Sequence, residues 1–140
     1  MIDYHETKSQ PITRFMVWHA YQKVRLNKGS SGIDGLSWDA IDKNRSLLLY
    51  TLWNRLSSGS YFPKAVREVA IRKKSGGLRK LGIPTILDRI VQEVVKTHLE
   101  AKVEPEFHAS SFGYRPKKNC HQAVAQATNN VFRCDDWVLT

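Results

Sequence analysis

Cysteine is scarce in this 140-residue chain, which holds only Cys120 and Cys134. Two cysteines do not make the disulfide framework on which small secreted domains depend, so we expect a reducing, cytoplasmic compartment. The residues from Met1 to Glu6 have neither the basic start nor the apolar stretch of a secretory signal, and none is expected. Uninterrupted apolar runs are only a few residues long, which predicts that no helix spans a membrane.

The histidines and cysteines also lack the spacing of a metal site. No Cys-x-x-Cys or His-x-x-x-His pair accompanies Cys120, His121, Cys134 or His108, so we expect no bound metal in this chain. No phosphate-binding loop of the G-x-x-x-x-G-K-[ST] type occurs either. A disulfide between Cys120 and Cys134 is disfavoured, because most of the length of one predicted helix separates the two residues.

Acidic residues are few relative to basic ones, at 13 against 22, which gives a net charge of +9 at pH 7. From Lys64 to Arg89 there are eight basic and two acidic residues. A second basic cluster, Arg115, Lys117 and Lys118, follows Tyr114. Basic stretches interleaved with aromatic residues are typical of nucleic-acid-binding surfaces, although a solvated surface that aids solubility would carry the same charge.

Apolar periodicity predicts two helices in the first 60 residues. Pro11 suits the first turn of the first helix, and Gly29 suits its left-handed cap. The predicted apolar face of this helix is Ile12, Phe15, Met16, His19 and Ala20. The second helix is predicted to run from an N-cap at Ser37, with Asp39 in its first turn, to Gly59.

A β-hairpin is predicted next, because two extended runs flank a turn that contains two glycines. Ala65 to Arg72 alternates along one strand, and Leu78 to Ile83 forms the other. The turn is flanked by four cations, namely Lys73, Lys74, Arg79 and Lys80. These side chains suit a polyphosphate ligand, and they equally suit a hairpin whose edge is protected by charge.

Two further helices are predicted after Pro84. Thr85 and Asp88 form a capping box at the start of the first, which continues towards Pro105. The second is predicted to begin at Asn119, with Gln122 three residues on, and to end near Phe132. The run from Trp137 to Thr140 is typical of the beginning of a strand.

These elements predict an α+β fold in which a helical N-terminal part packs on a small antiparallel hairpin or sheet. The predicted organisation is a single partial domain. Residues 1–60 form the N-terminal helices, residues 61–84 the basic hairpin, and residues 85–140 the further helices and the start of the last strand.

Four blocks of this sequence resemble, in the same order, group II intron reverse transcriptases, the intron-encoded maturases. Residues 69–92, VAIRKKSGGLRKLGIPTILDRIVQ, resemble the fingers segment, and residues 111–116 (SFGYRP) with 119–123 (NCHQA) resemble the block that follows. Residues 27–35 (NKGSSGIDG) are similar to the family's opening block, and residues 61–63 (YFP) to the lead into the hairpin. The resemblance covers the chain from about residue 12 to its end.

The resemblance implies that the chain is the fingers subdomain, with the start of the palm, of an RNA-directed DNA polymerase that also binds its intron RNA. Lys73 and Arg79 match the residues that hold the triphosphate of the incoming dNTP. Many members of the family have proline where this sequence has Arg72. This difference affects only the expected shape of the base of the hairpin.

The resemblance also implies a nucleic-acid surface. Residues that match positions near the templating base or on the template are Ile83, Pro84 and Arg89. Residues expected on the surface for the template–primer duplex or the intron RNA are Arg115, Lys117 and Lys118.

In the family, the metal-binding aspartates of the palm follow the strand that begins at Trp137, and this sequence contains none of them. Asp135 and Asp136 precede that strand and suit a solvated turn. We therefore expect an inactive fragment, with Mg²⁺ as a cofactor of the full-length polymerase only. The alternatives are a stand-alone, non-catalytic RNA-binding module and a unit that forms homodimers through an exposed strand.

Overall fold

A computed structural model describes residues 10–133, which form five α-helices, one short 3-10 helix and a two-stranded sheet. In chain order the elements are α1 (Arg14–Leu26), α2 (Trp38–Lys43), α3 (Arg45–Ser57), β1 (Arg67–Arg72), β2 (Leu78–Ile83), α4 (Ile86–Val103), the 3-10 helix (Glu104–Glu106) and α5 (Cys120–Arg133). This mixture confirms the predicted α+β class. Cys134, Asp135, Asp136 and the strand predicted from Trp137 to Thr140 lie outside the described residues.

The chain divides into two compact units, one of which ends at Thr97 while the other starts at His98. The first unit contains α1 to α3, the hairpin and most of α4. The second contains the end of α4, the 3-10 helix and α5. No helix within residues 10–133 has the length and apolar character that crossing a bilayer requires.

Helix α1 begins later than predicted and buries a different face. The Thr13 hydroxyl caps it by accepting a hydrogen bond from the Met16 N–H at 3.2 Å, so Pro11 precedes the helix. The predicted face is wrong at Phe15, which is 69% exposed, and at His19, which is also exposed. The buried residues of this helix are Val17, Ala20, Tyr21 and Val24. These residues lie on the side of α1 that packs against α3. Packing against α3 therefore determines which of the several apolar positions of α1 are buried.

The single helix predicted from Ser37 to Gly59 is two helices. The Ser37 hydroxyl accepts a hydrogen bond from the Ala40 N–H at 3.3 Å, which confirms the N-cap. Asn44 then leaves helical geometry at φ −109° and ψ 20°, and α3 begins at the next residue. Asparagine has a low helix propensity and tolerates such a backbone, which permits the break. Gly59, at φ 72°, follows the end of α3 as predicted.

The buried core of the first unit comes from its helices. Its members are Val17, Ala20, Tyr21, Val24, Ile41, Leu49, Leu52, Trp53, Leu56, Ile86, Ile90 and Val94. The indole N–H of Trp53 donates to the Ile12 carbonyl at 2.9 Å, which attaches the segment before α1 to this core. No residue of β1 or β2 is fully buried in the described chain, so the hairpin stands largely in solvent.

The hairpin has the predicted antiparallel pairing, although β1 begins at Arg67 rather than Ala65. Gly76 and Gly77 have φ angles of 84° and 83°, which side-chain-bearing residues rarely adopt. The Gly76 N–H donates to the Lys73 carbonyl at 3.2 Å, and the Lys73 N–H donates to the Gly77 carbonyl at 3.1 Å. The two glycines therefore close the turn from which the cations project.

Helix α5 has the start that the sequence predicts. The Gln122 N–H donates to the Asn119 side chain at 2.9 Å, and the Asn119 N–H donates to the Gln122 side chain at 3.1 Å. Both halves of a capping box are therefore present. The helix ends at Arg133, close to the predicted end at Phe132.

Candidate nucleic-acid interface

The exposed cations of the hairpin differ in whether they are ion-paired, and Arg72, on the same face as Lys80, has no carboxylate partner among the described residues. The strand register sets Arg79 opposite Ile71, and continuing the alternation of β1 by two residues places Lys73 on that same face. Lys80 lies on the opposite face, where its ammonium group is 3.0 Å from a carboxylate oxygen of Glu68. In the part of the chain that the structure describes, neither Lys73 nor Arg79 has a carboxylate within ion-pair distance. The face that carries them therefore presents two exposed cations to an anionic ligand.

The exit from the hairpin is formed by Ile83 and Pro84, both half-buried. The Arg89 guanidinium donates to the Pro84 carbonyl through Nε at 3.3 Å and Nη2 at 3.2 Å, and Nη2 also donates to the Ser30 carbonyl. Burial lowers the pKa of Arg89, and the positive charge of Arg67 lowers it further while Asp34 opposes the shift. Arg89 thus connects the loop before α2 to the end of the hairpin.

This loop passes close to the start of α4 and to Arg89, and one of its positions, Gly32, meets backbone atoms that leave no room for a side chain. A Cβ atom on Gly29 would collide with the Arg89 guanidinium. A Cβ atom on Gly32 would lie 2.6 Å from Cα of Thr85 and 2.7 Å from its nitrogen, closer than real Cβ contacts come. Gly32 is therefore required for the close approach of this loop to the backbone of Thr85, whereas a side chain at Gly29 would displace the Arg89 guanidinium. The left-handed residue after α1 is Lys28, at φ 43°, so the prediction that Gly29 serves as that cap is wrong.

A buried carboxylate lies directly behind the hairpin exit. Asp88 is 3% exposed, and its carboxylate accepts hydrogen bonds from the Thr85 hydroxyl at 2.6 Å and from the Tyr61 hydroxyl. The Asp88 N–H donates back to the Thr85 oxygen at 3.1 Å, so Thr85 caps α4 as predicted. Burial raises the pKa of Tyr61 well above its ordinary value, and the hydrogen bond to Asp88 and the Asp88 charge raise it further. Tyr61 is therefore a protonated donor that attaches the lead into β1 to the start of α4.

Sequence reasoning did not anticipate this cluster. The Thr85–Asp88 pair was visible as a capping box, but Tyr61 appeared only as part of the lead into the hairpin. The bond between Tyr61 and Asp88 joins residues 27 positions apart, and no local pattern indicates such a contact.

Arg115 is enclosed by its own loop in the second unit. Its side chain is 10% exposed, and its Nε and Nη2 atoms lie 3.0 Å and 2.8 Å from a carboxylate oxygen of Glu104. Its Nη1 donates to the carbonyls of His108 and Ser111, each at 2.9 Å. The guanidinium also lies 5.0 Å from the centre of the Phe107 ring. Arg115 thus orders the loop between α4 and α5.

Lys117 and Lys118 are the exposed cations that follow Arg115 in this loop. Lys117 has a φ angle of 59°, and the Lys118 ammonium group lies 5.0 Å from the centre of the Phe112 ring. No carboxylate within residues 10–133 forms an ion pair with either lysine. The loop therefore presents two available cations in the second unit.

The structure brings together some of the residues that the sequence singled out. Lys73 and Arg79 share a face of the hairpin, while Ile83, Pro84 and Arg89 lie at its exit. Arg115, Lys117 and Lys118 share the loop of the second unit. Among the residues described, no three His, Cys, Asp or Glu side chains come together as metal ligands would.

Comparison with known proteins tests the resemblance to group II intron-encoded proteins. No protein-family model matches the chain. The group II intron-encoded protein LtrA of Lactococcus lactis subsp. cremoris is 40% identical over 106 residues, which make up 75% of this chain and 18% of that protein. This chain is a homologue of group II intron-encoded proteins. The resemblance predicted from its sequence blocks is thereby confirmed.

Two further relatives of this chain also have names that refer to introns. An uncharacterised 91 kDa protein in the cob intron of Schizosaccharomyces pombe is 33% identical over 99% of this chain and 17% of that protein. Nuclear intron maturase 4 of Arabidopsis thaliana, a mitochondrial protein, is 27% identical over 86% of this chain and 14% of that protein. The chain spans less than a fifth of the length of each of these three relatives.

Proposed function

We propose that this chain serves as the fingers of an intron-encoded reverse transcriptase that also binds its group II intron RNA. Its homology to intron-encoded proteins, one of them named a maturase, supports this assignment. The observation that carries it is the hairpin face with Lys73 and Arg79, which are exposed and unpaired while Lys80 on the other face is paired with Glu68.

The hairpin face suits the triphosphate of an incoming nucleotide. A lysine ammonium group supplies a compact positive charge, and an arginine guanidinium supplies two parallel donors to phosphate oxygens. Such groups stabilise the negative charge that develops as pyrophosphate leaves. Because neither side chain has a carboxylate partner in the described chain, binding a phosphate there requires no internal ion pair to be broken.

The hairpin exit suits the template side of the same site. Ile83, the last residue of the strand that carries Arg79, and the following Pro84 present half-buried apolar surface, which fits packing near a templating base. Arg89 donates to two backbone carbonyls, so we assign it the role of holding this exit in place beside the template. The metal ions of the polymerase would be held by residues other than those described, and Mg²⁺ would supply charge neutralisation at the reacting phosphate.

In the second unit, Lys117 and Lys118 would contact RNA phosphates. Arg115 has its donors committed to Glu104 and to loop carbonyls, so its contribution would be to order the loop that presents the two lysines.

Replacement of Arg79 tests the hairpin assignment in a polymerase that carries this segment. We expect Arg79→Ala to raise the KM for dNTP and to lower kcat, with a combined loss in kcat/KM of about 10- to 100-fold for one charge-assisted contact. Lys80→Ala is the matched control, because it removes one exposed cation from the opposite face and should change kcat/KM by less than about 3-fold.

An unchanged KM and kcat in the Arg79→Ala polymerase would refute the triphosphate role. If the segment only binds RNA and takes no part in catalysis, Arg79→Ala should likewise leave KM and kcat of the polymerase unchanged, and RNA affinity should stay intact. Steady-state primer extension and an RNA titration on the same preparations therefore separate the two functions.

A further inference from the structure

The base of the hairpin, where the chain enters β1 and leaves β2, is held to the loop before α2 by charged and polar contacts. The Lys64 ammonium group, which precedes β1, lies 3.6 Å from a carboxylate oxygen of Asp34 in that loop. Nη2 of Arg67, the first residue of β1, donates to the Ser30 hydroxyl at 3.4 Å. On the exit side, Nη2 of Arg89 donates to the Ser30 carbonyl. Because β1 and β2 are largely exposed, the direction in which the hairpin points depends on these contacts.

Asp34 is the carboxylate among these contacts, and its side chain is only 9% exposed. Its Oδ1 accepts a hydrogen bond from the Leu36 N–H at 3.4 Å. Its Oδ2 is buried and has no hydrogen-bond partner among the described residues. A buried, ionised carboxylate requires nearby positive charge to offset the loss of hydration. Asp34 therefore acts on the hairpin base mainly through its charge.

The two arginines at the hairpin base require such a negative charge. Burial and then the charge of Arg67 lower the pKa of Arg89, whereas the charge of Asp34 opposes this shift. Nε of Arg67 is buried without a hydrogen-bond partner in the part of the chain that the structure describes. Neutralisation of Asp34 would leave the entry and the exit of the hairpin with like charges that repel each other.

The length of the hairpin amplifies any change in direction at its base. Six residues form β1, so the turn lies about 20 Å from Arg67 at about 3.3 Å per residue. A rotation of about 5° at the base would then move the turn by about 1.7 Å. A misplacement of about 1 Å can lower a reaction rate by about 100-fold. A small change at Asp34 is therefore large at Lys73 and Arg79.

We propose that Asp34 is a positioning residue, whose carboxylate fixes the direction in which the hairpin presents Lys73 and Arg79 to a triphosphate. This inference rests on the proposed function, because it requires that the hairpin binds the nucleotide. Asp34 acts through the base of the hairpin and not by contact with the nucleotide.

Asp34→Asn in a polymerase that carries this segment tests the proposal, because asparagine keeps the size of the side chain and the acceptor for the Leu36 N–H. We expect a higher KM for dNTP and a decrease in kcat/KM of about 10-fold, while the KM for the template–primer stays within about 2-fold. Asp39→Asn is the matched control, since Asp39 is exposed and has no ion pair among the described residues. Its kcat/KM should stay within about 2-fold of the unmodified enzyme.

A double-mutant cycle with Lys64 tests whether the charge of Asp34 acts through the hairpin lead. Lys64→Met keeps most of the aliphatic side chain and removes the ammonium group, and we expect it to raise the KM for dNTP as well. The double variant Asp34→Asn/Lys64→Met should lose less than the product of the two single losses, because both changes remove the same ion pair. Fully multiplicative losses would overturn the proposal. A variant that merely folds poorly would lower the apparent kcat without raising the KM for dNTP, and this result for Asp34→Asn would also overturn it.

The position of the hairpin turn can be measured without any activity. Spin labels would be attached at Ser75→Cys in the turn and at Gln22→Cys on the exposed side of α1, in the 140-residue chain with Cys120 and Cys134 replaced by serine. We expect the distance between the labels, measured by double electron–electron resonance, to shift or broaden by about 2 Å in Asp34→Asn and not in Asp39→Asn. An unchanged distance distribution in Asp34→Asn would overturn the proposal.

The Arg79→Ala polymerase separates this inference from the proposed function. Unchanged kinetics of Arg79→Ala would refute the triphosphate role itself, whatever the label distances show. A loss of kcat/KM in Arg79→Ala, combined with unchanged kinetics and unchanged label distances in Asp34→Asn, would refute only the positioning role of Asp34.

Discussion

Removal of the Tyr61 hydroxyl is expected to destabilise the first unit by about 2 kcal/mol. Tyr61→Phe keeps the ring that packs near the core and deletes only the donor to the Asp88 carboxylate. The Thr85 hydroxyl would remain as a donor to that buried carboxylate. The variant therefore isolates one hydrogen bond to a charged group.

The magnitude follows from the surroundings of the bond. A hydrogen bond to a charged group contributes about 1.5–3 kcal/mol net, and leaving a buried acceptor short of a donor accounts for much of that loss. Asp88 is almost completely buried, whereas Tyr61 is half-buried and water reaches part of it, so we take the middle of the range. For a unit of fewer than 100 residues, 2 kcal/mol corresponds to a decrease in Tm of about 8 °C or more.

Urea unfolding followed by tryptophan fluorescence measures this change, because Trp53 lies in the same core. Tyr50→Phe is the matched control, since the Tyr50 hydroxyl is exposed and has no partner among the residues described. Its free energy of unfolding should stay within about 0.5 kcal/mol of the unmodified chain. Equal stabilities of Tyr61→Phe and Tyr50→Phe would refute the view that this bond holds the hairpin lead against α4.

Two further predictions concern the loop of the second unit and the response to pH. Arg115→Ala should destabilise the loop between α4 and α5 by about 2 kcal/mol, because Glu104 and two carbonyls lose their partner. Backbone hydrogen exchange of residues 104–118 should therefore be faster in this variant than in the exposed control Lys102→Ala. The pKa of Tyr61 is raised in the folded chain. The stability that the protonated Tyr61 hydroxyl contributes is therefore complete below the ordinary tyrosine pKa of about 10. This contribution is lost as the pH rises above that value, because Tyr61 of the unfolded chain loses its proton first. The urea midpoint of the unmodified chain should therefore fall more between pH 8 and pH 10.5 than that of Tyr61→Phe; equal decreases would contradict the assignment.

Elements that depend on neighbouring residues were predictable from the sequence. The reciprocal cap of α5 joins Asn119 to Gln122, and the hairpin turn needs only the two glycines at Gly76 and Gly77. Both follow from short-range chemistry that a sequence window contains. The buried face of α1 follows instead from packing against α3, which a periodic pattern does not specify.

The roles of the arginines show a second limit of sequence reasoning. Arg79 is exposed on the hairpin, as a residue that grips phosphate should be, but Arg89 and Arg115 donate to backbone carbonyls inside the chain. Every residue has a carbonyl, so nothing in the sequence marks Pro84, Ser30 or His108 as an acceptor. The spacing of basic residues therefore indicates where cations concentrate. Only the fold shows which of these cations are already hydrogen-bonded or ion-paired within the chain.

RNA binding by the whole chain tests the central claim most directly. Fluorescence anisotropy with a labelled, structured RNA would be measured at several salt concentrations, and each phosphate neutralised should contribute about −0.7 to −0.9 to the slope of log K against log salt. We predict a slope of several units that Lys117→Gln/Lys118→Gln reduces by about 1.5, while the exposed helix control Lys102→Gln leaves the slope nearly unchanged. Arg115 is kept in this test because its loss would disorder the loop. No binding at low salt, or the same slope in all three proteins, would contradict the account.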